Sequence, residues 1–215
     1  MTTHVWVLSV ALTVTALLSW GAVLRGDYEL ERVTRPTYVA LVLGLAWSLS
    51  TEGPAADPSV SWPLFGGLGL SLVGDALLLT ATKVRFRLAL VVFLLAHGAY
   101  GWAVLGLPGR PGLPWAVLPV VAVLLVLHGR VGRFVVRHSG RDRGLVLLSL
   151  TVLMALAVIA AAKGDWTVLA AVGLLLVADL VLGHDRFVLE RRLAPVTALA
   201  THQVAQALLV LGLLL

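Results

Sequence analysis

Eight long apolar runs, at residues 3–24, 34–50, 61–81, 86–106, 113–128, 144–162, 166–183 and 195–215, follow one another with short polar segments between them. Each approaches the roughly 20 residues that an α-helix needs to cross a bilayer. Together they occupy most of the 215 residues and leave no room for a soluble domain. The runs are continuous and do not alternate, which argues against a transmembrane β-barrel. The chain therefore reads as all-α: a polytopic membrane helical bundle of eight transmembrane helices, with 1–215 forming a single integral membrane domain.

Composition agrees. Hydrophobic residues make up 60% of the chain and charged residues 13%, against about 45–50% and about 25% in soluble domains. One soluble core of this size cannot hide that much apolar surface. A soluble enzyme, a disordered chain and a nucleic-acid-binding domain are excluded. Cysteine is absent, which removes disulfides, thiolate metal sites and cysteine nucleophiles. No Lys or Arg precedes the first run, so no cleavable leader is expected.

The basic residues sort by loop. Arg25, Arg32 and Arg35 flank the first loop, and Lys83, Arg85 and Arg87 the third. Arg130, Arg133, Arg137, Arg141 and Arg143 fall in the fifth, and Arg186, Arg191 and Arg192 in the seventh. Only Arg110 and Lys163 fall in the even loops. The positive-inside rule then places the odd loops in the cytoplasm and both termini outside the cell membrane. Trp6, Trp47, Trp62, Trp102, Trp115 and Trp166 all lie at the ends assigned to the outside, with Trp20 alone at the inner side. Indole rings favour the headgroup level, so these positions read as an outer aromatic belt. The Arg-rich fifth loop reads as a topology signal that also suits anionic headgroups.

An internal repeat is suggested by Gly69–Asp75 and Gly173–Asp179, each followed by an Arg-Phe pair, Arg85-Phe86 and Arg186-Phe187. A histidine follows 22 residues after Asp75 and 23 after Asp179. A parallel 4+4 duplication would produce that pattern.

The information lies in polar groups inside the runs. Asp75 and Asp179 are the two carboxylates well within predicted spans, where charge is expensive and usually functional. Both fall in the inner half. Arg35 at the start of the second run converges on the same depth, as do His97 and Tyr100, three apart, and His202 and Gln206, four apart on one face. These residues suit one polar pocket open to the inner leaflet. Each also has a plainer reading: a buried ion pair for Asp75, a topology arginine for Arg35, interhelical polar contacts for His97, His202 and Gln206. No metal motif, nucleophile elbow or phosphate loop is present, and neither a metal nor a cofactor is expected.

Ser71-Leu-Val-Gly-Asp75, Ala96-His97-Gly-Ala-Tyr100, Val177-Ala-Asp179 and the ending through Gln203, Gln206 and Gly212 resemble, in order and spacing, the YhhN-like lysoplasmalogenase family. The similarity covers nearly the whole chain. Arg35-Pro36 stands where that family often has Lys-Pro, Ala178 where it usually has Ser, and Met154 where a tyrosine is expected. The resemblance implies hydrolysis of the vinyl-ether bond of lysoplasmenyl-ethanolamine or -choline lipids to a fatty aldehyde and a glycerophospho-base. Such a bond breaks by protonation at its β-carbon, and water traps the resulting cation. That chemistry needs one carboxylic acid that keeps its proton and a second group that faces the cation, a division two neighbouring carboxyls can make. Asp75 and Asp179 are then the catalytic pair. His97, Tyr100, His202 and Gln206 orient water and substrate, and Arg35 holds the phosphate. The partners are the lysophospholipid and membrane lipids, with no nucleic acid, and a homo-oligomer stays open. The alternative from another class is a small transporter or channel that uses the Asp and His groups as a proton or ion relay.

Overall fold

The computed structural model describes residues 3–52, 57–80, 82–109 and 114–215. All regular structure among them is helical: α1 (Thr3–Arg25), α2 (Tyr28–Glu52), α3 (Pro58–Leu78), α4 (Lys83–Gly106), α5 (Pro114–Leu127), α6 (Arg133–His138), α7 (Arg143–Lys163), α8 (Trp166–Phe187) and α9 (Ala194–Leu214). Among the described residues, six helices are long and apolar enough to cross a membrane: α1, α3, α4, α7 with its preceding turn, α8 and α9.

The other two expected spans fall on helices, α2 and α5, that are not among these six. The second was expected from residue 34, yet α2 starts at Tyr28 and carries Glu29, Glu31, Arg32 and Arg35 in its first turns. The cause is the joint before it. Gly26 adopts φ +69°, which a residue without a Cβ reaches freely, and this lets the Asp27 N–H return to the Ala22 carbonyl at 2.9 Å. Asp27 then accepts the Leu30 N–H at 3.1 Å and caps the next helix. The fifth span was expected to end at 128. Its chain instead passes without a break from α5 through a π-helical turn, His128–Gly132, into α6. Arg130, Arg133 and Arg137 therefore sit on helix and not in a loop. Arg110, one of the two basic residues outside the main group, lies beyond the described residues.

Caps mark the other ends. Asp57 accepts the Ser59 N–H at 2.8 Å at the start of α3, and that bond holds its carboxyl below the ordinary range. Asp165 accepts from Thr167 and Val168 at the start of α8. Lys163 donates to the Leu105 and Leu107 carbonyls at 2.7 and 2.6 Å, which neutralises the end of α4.

Neighbouring helices form hairpins, most extensively α3 with α4 and α8 with α9, and α9 also touches α1, α2 and α3. Within a bilayer, close approach needs small residues. On α3, Gly67, Ser71 and Gly74 share one face. The Tyr100 ring lies over Gly67, and the Phe93 ring over Gly74, where an added Cβ would fall 2.8 Å from it. Gly212 of α9 meets Val168 of α8 in the same way. The core is leucine, valine and alanine, with Leu64, Leu68, Leu153, Leu175, Leu176 and Leu209 fully buried.

The packing does not establish the 4+4 repeat. Arg85-Phe86 opens α4, whereas Arg186-Phe187 closes α8. Asp75 sits in the last turn of α3, and Asp179 two turns before the end of α8. The pair preceding each hairpin also differs: α1 packs along α2, while α5 meets α7 over a short stretch.

Trp6, Trp47, Trp62, Trp102 and Trp166 are exposed at one end of the bundle, on surface that a membrane would cover. The Trp115 side chain lies outside the described residues. Trp20 turns inward, and its indole N–H donates to Gln203 Oε1 at 2.7 Å. The exception to the aromatic belt is thus a half-buried residue hydrogen-bonded to a neighbouring helix.

Candidate active site

A cavity of about 300 Å³ opens at the end of the bundle opposite the exposed tryptophans. It lies where α2 and α9 begin and α3 and α8 end. Its polar wall is Arg35, Asp75, Asp179 and His202, and its rim includes Glu31, Asp185 and Arg186. Leu78, Phe86, Phe93, Leu182 and Leu199 supply the apolar wall. That mixture, a mostly apolar hollow with a few convergent polar groups, is typical of small-molecule sites.

Of the carboxyl groups on the cavity, Asp75 and Asp179 lie on its inner wall, in different company. Asp75 is buried, and its Oδ1 accepts from Arg35 Nε at 3.1 Å. Arg35 Nη1 also donates to Glu31 Oε1 at 3.1 Å, one turn back on α2. The guanidinium is thereby held between two carboxylates. Asp179 is partly buried, and its Oδ2 accepts from the Ser149 hydroxyl of α7 at 3.2 Å. No ion pair reaches it among the described residues.

His202 faces the cavity with its ring edge-on to Phe93, centroids 5.3 Å apart. Gln206 donates from Nε2 to His202 Nε2 at 3.1 Å, one turn deeper along α9. Tyr100 and Ser71 share a hydroxyl–hydroxyl bond of 2.8 Å between α4 and α3. His97 is buried, with its ring centroid 6.5 Å from that of Tyr100, and neither ring nitrogen has a hydrogen-bond partner among the described residues. Of the seven residues singled out from sequence, Arg35, Asp75, Asp179 and His202 line the cavity. His97, Tyr100 and Gln206 do not, and are buried in the adjoining interior.

Sequence reasoning missed several neighbours. Glu31 stands four residues before Arg35, a helical pairing distance, but it fell outside the expected start of the helix. Tyr38 donates its hydroxyl to the Gln203 carbonyl at 2.6 Å and ties α2 to α9. Ser149 was not singled out, because a lone serine in an apolar run carries no signal of its partner. Arg186 entered only as a topology residue and as part of the repeated Arg-Phe pair.

A second, smaller apolar recess adjoins the cavity. It shares Phe86, Asp179 and Leu182 with it and adds Leu90, Val135, Val146 and Leu150 from α4, α6 and α7.

Fold and site together define a multi-pass helical membrane protein whose ionisable groups converge on one cavity at the arginine-rich end. The chain belongs to the YhhN family, whose family model matches residues 30–213. Comparison with the curated proteins and with the solved structures finds no match.

Proposed function

We propose that the protein is a lysoplasmalogenase, a hydrolase of the vinyl-ether bond of lysophospholipids. The observation that carries the reading is the unequal company of the two carboxyl groups on one cavity. Asp75, against a guanidinium, is the carboxylate. Asp179, with a hydroxyl for a partner, is the acid.

The chemistry follows from that division. Asp179 gives its proton to the β-carbon of the vinyl ether, and the double-bond electrons form the new C–H bond. The α-carbon and ether oxygen then share a positive charge, which the Asp75 carboxylate opposes. A water molecule adds to the α-carbon and loses a proton to the Asp179 carboxylate, restoring the acid. The hemiacetal passes its hydroxyl proton to the glycerol oxygen and breaks into aldehyde and alcohol. One water is consumed. General acid catalysis of this kind is worth roughly 10²–10⁴-fold, and the low-dielectric surroundings strengthen the opposing charge. His202, held by Gln206, orients the water. Arg35 holds the Asp75 carboxyl in place. The apolar wall of the main cavity, with Phe86 and Leu182 beside Asp179, suits the first carbons of the alkenyl chain.

In the same reading the cavity mouth faces the cytoplasm and both termini lie outside, because the flanking arginines gather at the mouth end. The relay alternative is not favoured. Beyond the His97–Tyr100–Gln206 layer the interior facing α3 and α9 is lined by Leu64, Leu68, Leu209 and Leu213, which offer no proton path.

The test is purified protein in detergent with a lysoplasmenyl lipid in D₂O. The expected product is a fatty aldehyde carrying one deuterium on the carbon next to the carbonyl. Absence of aldehyde, or aldehyde without that deuterium, rejects the mechanism.

A further inference from the structure

We infer that Arg186, and not Arg35, is the side chain that holds the phosphate of the substrate lipid; this rests on the lysophospholipid reading above. Arg35 has Nε and Nη1 committed to Asp75 and Glu31. Drawing it onto a phosphate would strand a buried carboxylate, which costs far more than an exposed contact returns. Arg186 is differently placed. It lines the mouth of the same cavity, is exposed, and has no acidic partner among the described residues. Its guanidinium carbon lies 5.0 Å from the centre of the Phe86 ring, which itself meets Phe187 edge-on at 5.7 Å. A planar cation stacked on an aromatic face keeps its N–H edge free, the edge that binds phosphate in a fork.

Spacing fits as well. Asp179 and Arg186 are seven residues apart on one helix, so they share a face and stand about 10 Å apart along the axis. In a lysoplasmenyl lipid seven bonds separate the carbon that takes the proton from the phosphorus, about 8 Å when extended. One face of α8 thus carries both the acid and the anion clamp at the span of the substrate's reacting end.

The experiment uses full-length wild type, Arg186→Gln, Arg186→Lys and, as a remote arginine, Arg141→Gln. Two non-hydrolysable probes are titrated in detergent: a saturated 1-O-alkyl lysophospholipid and the matching 1-O-alkylglycerol, which lacks phosphate. Arg186→Gln is expected to weaken the phosphate-bearing probe on the order of tenfold or more and leave the alkylglycerol unchanged. Arg186→Lys falls between, because it keeps the charge and loses the fork, and Arg141→Gln matches wild type. Equal loss for both probes, or no loss for either, overturns the assignment. So does a phosphate-selective loss in Arg35→Gln, titrated alongside with the same two probes, with none in Arg186→Gln. If the phosphate selectivity holds while no vinyl ether is cleaved, the hydrolase reading fails and the phosphate site stands.

Discussion

The Nε of Arg35 stands 3.1 Å from Oδ1 of Asp75, joining the third turn of α2 to the last turn of α3. Asp179 meets the same cavity from α8 without an equivalent. That inequality makes the two aspartates chemically distinct although their sequence settings look alike.

If the two carboxyls divide the work as proposed, Asp179→Asn removes the proton donor. Aldehyde release should fall by roughly 10²–10⁴-fold, with elution and melting close to wild type. Asp75→Asn should reduce kcat to a comparable degree but also destabilise the fold, because Arg35 loses its buried partner. Full turnover in both purified variants would dismiss the pair.

The ion pair itself is open to a double-mutant cycle. Arg35→Gln leaves Asp75 buried without a cation and should lower stability in detergent by roughly 2–4 kcal/mol, less than a fully buried pair because Arg35 keeps some exposure. The double variant Arg35→Gln/Asp75→Asn should recover part of that loss and none of the activity. Additive melting shifts would show that the two side chains do not interact.

Helix contact predicts a steric effect. Gly67→Ala places a methyl group into the Tyr100 ring, and Gly74→Ala presses on Phe93. Each should cost about 1–3 kcal/mol by overpacking. Gly66→Ala on the same helix meets open space and should be near neutral. Thermal melts of the three variants give the comparison.

The tryptophans make a spectroscopic prediction. In single-tryptophan variants, brominated lipid tails should quench the exposed Trp47, Trp62 and Trp102 more than the half-buried Trp20, whose indole is bonded to Gln203. Trp20→Phe leaves the Gln203 Oε1 acceptor without its donor, for a loss of about 1–3 kcal/mol. Strong quenching of Trp20 would contradict the packing of α1 on α9.

Because the chain has no cysteine, topology can be read with introduced ones. Arg141→Cys should be shielded from an impermeant maleimide in intact cells, and Thr167→Cys should react. The reverse labelling would invert the orientation and place the cavity mouth outside.

Hydropathy along the chain was enough for the membrane class, because runs such as 86–106 and 166–183 can satisfy their backbone only as helices in lipid. It also singled out Asp75 and Asp179, since a carboxyl inside an apolar run has no bland explanation as strong as its cost. It misjudged local limits where a short-range device intervened. The Gly26-Asp27 joint starts α2 early, and a π-helical turn carries Arg130, Arg133 and Arg137 on helix. Partnership was beyond its reach. Which carboxyls Arg35 met, whether Trp20 joined the belt or Gln203, and which aspartate lay beside Ser149 were all decided by contacts between side chains on the packed helices. Hydropathy records the energy of each residue against lipid, and a pairing depends on how the helices rotate and pack, so only the tertiary structure could decide it.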